Sequence, residues 1–194
     1  MRDRPARRAR PRPRLTTGHP CPPAGTLADV ATRRSAGILL YRFDAAGGVE
    51  LLVAHMGGPL WARKDEHAWS IPKGEPEEGE DLLDTAAREF AEELGRPLPP
   101  VDLVPLGEAR QGGGKVVTVW AGELPAGSAF DADDLDPGTF TMEWPPRSGR
   151  TAEFPEVDRA AWSTPEQARS RLVKGQAVFV DRLLEHVAGG GGPR

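Results

Sequence analysis

A single cysteine, Cys21, in 194 residues leaves no partner for an intrachain disulfide and no thiolate cluster for a metal, so the fold has to rest on packing. No apolar run approaches the roughly 18–20 residues that cross a bilayer, and the start of the chain lacks the apolar core of a secretory signal. Prolines interrupt the amphipathic helix that a transit peptide would need, so a cytoplasmic protein without a membrane partner is expected. What is present, 38% hydrophobic and 28% charged residues, suffices for one ordinary domain of about 100–200 residues.

The formal net charge of −4 conceals two unlike parts. Residues 1–34 hold nine arginines against Asp3 and Asp29, a net of +7 that leaves −11 for the remainder. Arg-Pro alternation such as Arg10-Pro11-Arg12-Pro13-Arg14 repels itself and cannot propagate a helix, so residues 1–32 are read as a disordered basic arm. Contact of that arm with RNA or an acidic membrane surface is a conceivable role. No aromatic residue interleaves the arginines, so specific nucleic-acid recognition is not expected.

The folded part is expected over residues 33–188, with a flexible glycine-rich tail at 189–194. Ser35–Arg42 and Val49–Ala54 are apolar runs separated by a glycine turn and predict a strand hairpin. Trp69-Ser70-Ile71-Pro72 predicts a short extended piece leading into Lys73-Gly74. Leu82, Ala86, Phe90 and Leu94 recur every four residues and predict a helix over Asp81–Leu94, closed by Gly95 and Pro97. Leu103–Ala109 and Lys115–Glu123, joined across three glycines, predict a second hairpin. The proline-rich stretch from Leu124 to Glu153 reads as a long irregular loop. A last strand over Glu156–Trp162 is followed by a helix with Thr164 as N-cap and Pro165 in its first position, and then by a helix near Gln176–Val187.

On the first helix, Glu89 precedes Glu92 and Glu93 by three and four residues, so three carboxylates share a face while the apolar stripe is buried opposite. Like charges at this spacing repel, and a hard divalent cation offsets the repulsion directly. Oxygen donors of this kind select Mg²⁺, with Mn²⁺ as a possible substitute. Arg88 is the adjacent counter-charge and is also placed to tether Glu80 or a neighbouring loop.

Gly74, then Glu80 after five residues, then Arg88-Glu89-Phe90-Ala91-Glu92-Glu93-Leu94-Gly95 after seven more resembles the Nudix box, G-x(5)-E-x(7)-R-E-U-x-E-E-x-G-U, where U is bulky and apolar. Eight of nine fixed positions match, and the exception is Arg96, where the family has an apolar residue and where Leu98 is a candidate replacement. The resemblance implies an α/β (α+β) Nudix fold, a mixed β-sheet sandwiched between helices with a loop-helix-loop motif. It implies that Glu89, Glu92, Glu93 and the backbone of Gly74 bind metal, that Glu89 or Glu93 is the catalytic base, and that Arg88 orients them. Trp69-Ser70-Ile71-Pro72-Lys73-Gly74 is similar to the W-x-x-P-K-G segment of the diadenosine tetraphosphate hydrolases. Glu156, six residues before Trp162, resembles that group's additional glutamate, a further metal ligand or base.

For the substrate, Lys73 is placed to reach a phosphate, and Lys115 is a second candidate. Trp144 is a candidate to stack on a base, and Arg147 or Arg150 to hold a phosphate. His55 and His67 have no partner at ligand spacing and read as structural or exposed, whereas Trp61, Trp69, Trp120 and Trp162 read as core or lid residues. The function expected is Mg²⁺-dependent hydrolysis of a phosphoanhydride in a nucleoside diphosphate-linked substrate, a dinucleoside polyphosphate first. A nucleoside triphosphate pyrophosphatase and a non-catalytic nucleotide-binding regulator stay open, as does the choice between monomer and homodimer.

Overall fold

The structure, a computed structural model, describes residues 33–128 and 130–190. The basic arm expected at 1–32 and the end of the tail, 191–194, lie outside the described residues. No helix among the described residues is long and apolar enough to cross a membrane.

Among the described residues, nine strands and three α-helices follow one another as β1 (Arg34–Phe43), β2 (Val49–Met56), β3 (Trp69–Ser70), β4 (Lys73–Gly74), α1 (Leu82–Leu94), β5 (Leu103–Arg110), β6 (Val116–Glu123), β7 (Thr139–Glu143), β8 (Thr151–Pro155), β9 (Val157–Ser163), α2 (Pro165–Arg171) and α3 (Ala177–Ala188). The main sheet runs β3-β2-β1-β6-β5, with β4 paired to β1 and β9 paired to β2. It is mixed: β1 pairs parallel with β6, while its pairings with β2 and β4 are antiparallel. Strand β1 is buried on both faces, which explains its unbroken apolar run. Its even-numbered side chains Ala36, Ile38 and Leu40 join Ala86, Phe90 and Leu94 of α1 in one core. Its odd-numbered Leu39 and Tyr41 join Ala168, Leu172, Phe179, Val180 and Leu183 of α2 and α3 in the other.

Helix α1 begins where Asp81 accepts a hydrogen bond from the Leu83 amide, and it ends at Gly95, whose φ of 68° is the left-handed conformation of a C-cap. Helix α2 carries the expected Thr164 cap, completed as a capping box by Gln167. Arg96, the one departure from the box, bonds outward to Asp134 instead of packing, while Leu98 packs against the α1 core.

The segment 124–153 corrects the expectation of an irregular loop. It contains β7 and the start of β8, which form a separate antiparallel hairpin registered from Thr139↔Pro155 to Glu143↔Thr151. Main-chain bonds fasten the base of this hairpin to the rest: Gly138 N donates to Glu92 O at 2.9 Å, and Glu156 N donates to Gly138 O at 2.8 Å. The alternation Thr139-Phe140-Thr141-Met142 is a strand signal that the flanking prolines masked.

Because Phe90 is fully buried between α1 and the sheet, Phe90→Ala is expected to cost about 3–5 kcal/mol of unfolding free energy in urea titrations. Leu83→Ala, on the exposed side of the same helix, is expected to change it by no more than about 0.5 kcal/mol.

Candidate active site

The N-terminal half of β1 parts from β2 and takes β4 as its partner, with Ala36 opposite Gly74 and Gly37 opposite Lys73. This wedge sets Lys73-Gly74 beneath α1. A Cβ built on Gly74 would overlap the carboxyl group of Glu89, so a glycine is required there for the carboxylate to occupy its position. The Lys73 amide donates to Glu93 Oε2 at 3.1 Å.

Glu89, Glu93 and Glu156 line one cleft of about 380 Å³ together with Lys73, Gly74, Glu75, Met56, Gly57, Trp61 and Phe140. A larger hollow of about 840 Å³, between β5, β6 and His186, includes none of these residues and none of the carboxylates of α1. Glu89, Glu93 and Glu156 are thus gathered at the smaller of the two hollows.

Burial pushes the Glu93 carboxyl up to about 7, opposed by Lys73 and reinforced by Glu89 and Glu156. Burial also raises Glu89, against the opposing pull of Arg88 and with further raising by Glu92 and Glu156. A carboxyl that holds its proton more tightly folded than unfolded contributes stability that is whole below its ordinary value of 4.5 and lost as pH rises through about 7.

Arg88 is the hub of the helix's outer edge. Its Nε and Nη2 each donate to Glu80 at 2.9 Å, and its Nη1 donates to Glu89 and Glu92 at 2.9 Å. Nη2 also donates to the Glu75 carbonyl at 3.1 Å, tying down the loop before the helix. The hydrogen bonds from Arg88 pull Glu80 down to about 2. Glu92 lies outside the cleft lining, with its side chain 56% exposed against 15% for Glu89. Lys115 Nζ stands 3.4 Å from Glu75 Oε1 at the rim, and burial followed by repulsion from Lys73 lowers its ammonium below the usual range. Trp144 and Arg147 sit in the turn at the tip of the β7–β8 hairpin and do not line the cleft.

Sequence reasoning did not single out Phe140, whose strand was hidden among prolines, and Trp61 lines the cleft directly. Buried His55 has partners that spacing did not reveal, its two ring nitrogens standing 2.7 Å from Asp158 Oδ1 and 2.8 Å from the Lys64 carbonyl.

Among the described residues, no group of three or more His, Cys, Asp or Glu side chains is gathered closely enough to hold a metal ion in the arrangement seen. The donor set nonetheless fits a hard divalent cation. Glu89, Glu93 and Glu156 face one cleft, the first two with their carboxyls raised by burial, and the main chain at Gly74 approaches without a side chain between. Gly74→Ala is expected to expel the Glu89 carboxylate and weaken Mn²⁺ binding about 10–100-fold, read by electron paramagnetic resonance, with the far-ultraviolet circular dichroism unchanged.

The sequence matches the family model described as NUDIX domain over residues 31–183. No curated protein matches it. Among solved structures, it is similar to an Ap4A hydrolase of C. elegans in a binary complex, at 21% identity and a TM-score of 0.58 over 81% of this chain and 98% of that one. It is similar to RenU, a Nudix hydrolase of M. smegmatis, at 20% identity and 0.53 over 82% and 88%. It is also similar to the NUDIX domain of Shewanella oneidensis NrtR complexed with ADP ribose, at 14% identity and 0.53 over 81% and 89%. At these identities the likeness speaks to the fold.

Proposed function

The chain belongs to the Nudix family of phosphoanhydride hydrolases, which use divalent metal ions, and on that footing we propose that it hydrolyses a dinucleoside polyphosphate with Mg²⁺. The observation that carries the reading is the convergence of Glu89, Glu93 and Glu156 on one cleft against Gly74. These carboxylates and the Gly74 carbonyl are the groups that would hold the cation, with Glu92 available at the edge of the helix. The cation supplies neutralisation of phosphate charge.

In this reading Glu93 takes the proton from the attacking water, because a carboxyl set near neutrality suits that work. Glu89 is held in place by Arg88 Nη1 on one side and Gly74 on the other. Lys73 holds a phosphate in the cleft, and Lys115 holds the neighbouring phosphate at the rim, where it offsets the repulsion between the two lysines. Trp144 and Arg147, at the hairpin tip, are left for the distal end of a long substrate. The substrate class is supported by the W-x-x-P-K-G segment and by Glu156. The fold is shared with an Ap4A hydrolase and with a domain solved in complex with ADP ribose.

With Mg²⁺ and diadenosine tetraphosphate, chromatography is expected to show ATP and AMP in equal amounts. Faster turnover of nucleoside triphosphates with release of pyrophosphate would overturn the substrate assignment. Absence of turnover of any phosphoanhydride with Mg²⁺ or Mn²⁺ would overturn the catalytic one. Glu93→Gln is expected to lower kcat by about 10²–10⁴-fold and to remove the acid limb of its pH profile.

A further inference from the structure

Beyond the carboxylates, the cleft continues into a slot of about 210 Å³ walled by Pro59, Leu60 and Trp61 of the loop after β2 and by Phe140 and Met142 of β7. The two cavities share Gly57, Trp61 and Phe140. No charged side chain lines the slot, and the one side-chain hydrogen-bonding group among its walls is the Trp61 indole N–H. Leu60 is 56% exposed, the most open of the large apolar side chains among the described residues.

The slot is built and held to the carboxylates. Gly58 has a φ of 84°, and a Cβ there would meet the tip of the Phe140 ring at 2.9 Å, so the loop closes on β7 because position 58 has no side chain. The Gly57 amide donates to the Glu156 carbonyl at 2.8 Å, which fixes the slot relative to a candidate metal ligand. Within the loop, the Trp61 and Ala62 amides both donate to the Gly58 carbonyl at 3.2 Å. The Lys64 ammonium lies 4.6 Å from the centre of the Trp61 ring, steadying the indole.

We propose that this slot seats the base of the substrate on the aromatic walls Trp61 and Phe140 while its diphosphate lies among Lys73, Glu89, Glu93 and Glu156. The assignment rests on the reading of the acidic cleft as the phosphoanhydride site. Stacking is tolerant of base identity because every base has a π-face, and walls whose one side-chain hydrogen-bonding group is the Trp61 indole offer a base edge little to discriminate by. The enzyme therefore requires a base without choosing among bases, and its selectivity comes from the phosphate chain.

The test is calorimetric titration of the full chain, with Mg²⁺, using α,β-methylene-ADP, its guanine and uracil counterparts, and methylenediphosphonate, which lacks a base. The base-bearing ligands are expected to bind roughly tenfold or more tightly than methylenediphosphonate. They are expected to lie within a few-fold of one another. Trp61→Ala and Phe140→Ala should each reduce this advantage, the ratio of base-bearing to base-free affinity, several-fold, whereas Trp61→Phe should retain it. An advantage that survives both alanine variants would place the base elsewhere, and a tenfold preference for one base would contradict stacking without edge readout. If methylenediphosphonate fails to bind the unaltered protein while the base-bearing ligands bind, the reading of the acidic cleft fails; if neither binds, both readings fall.

Discussion

Glu89 stands against the α-carbon of Gly74 with no room for a methyl group between them, and the placement of α1 over the sheet follows that contact. Ala86, Phe90 and Leu94 anchor the helix in the core, while β4 is held from the other side by its pairing with Ala36 and Gly37. Between these two fixed elements, Glu89 and Glu93 have nowhere to go except into the cleft. Glu156 enters from the junction of β8 and β9, secured by main-chain bonds to Gly57 and Gly138. The geometry thus forces together groups that electrostatics would separate.

How the charges are settled divides the site in two. On the outer edge, Arg88 serves Glu80, Glu89 and Glu92 at once, and its hydrogen bonds depress the Glu80 carboxyl. On the inner edge, Glu93 receives one backbone N–H and the partial help of Lys73, and burial still lifts it to about 7. The inner edge is where a cation relieves the most energy, and it adjoins the apolar slot. A ligand that joins a charged phosphate chain to a flat ring matches that sequence of surfaces.

Much of this was legible in the sequence, for identifiable reasons. The strict four-residue stripe of α1, the Gly95 stop and the spacing of Gly74, Glu80 and Arg88 are local signals, and the fold places those residues as their spacing implies. The Asp81 and Thr164 caps are likewise local chemistry. Long-range pairings were not legible. Nothing in the sequence near His55 announces Asp158, 103 residues away. The β7–β8 hairpin was obscured because four prolines outweighed a period-two pattern only five residues long. Phe140 lies in that hairpin, and only the pairing of β7 with β8 brings it across from Trp61 to form the second wall of the slot.

Half-buried Glu89 and Glu93 stand where a divalent cation would relieve their crowding. The most direct measurement is the thermal midpoint of the metal-free protein between pH 5 and pH 8, with and without Mg²⁺. The midpoint is expected to fall as pH rises through about 7, the region where Glu93 loses its proton. Mg²⁺ is expected to restore stability more at pH 8 than at pH 5, and Glu93→Gln to flatten the decline. A midpoint that is level across this range and indifferent to Mg²⁺ and Mn²⁺ would contradict this reading of the site.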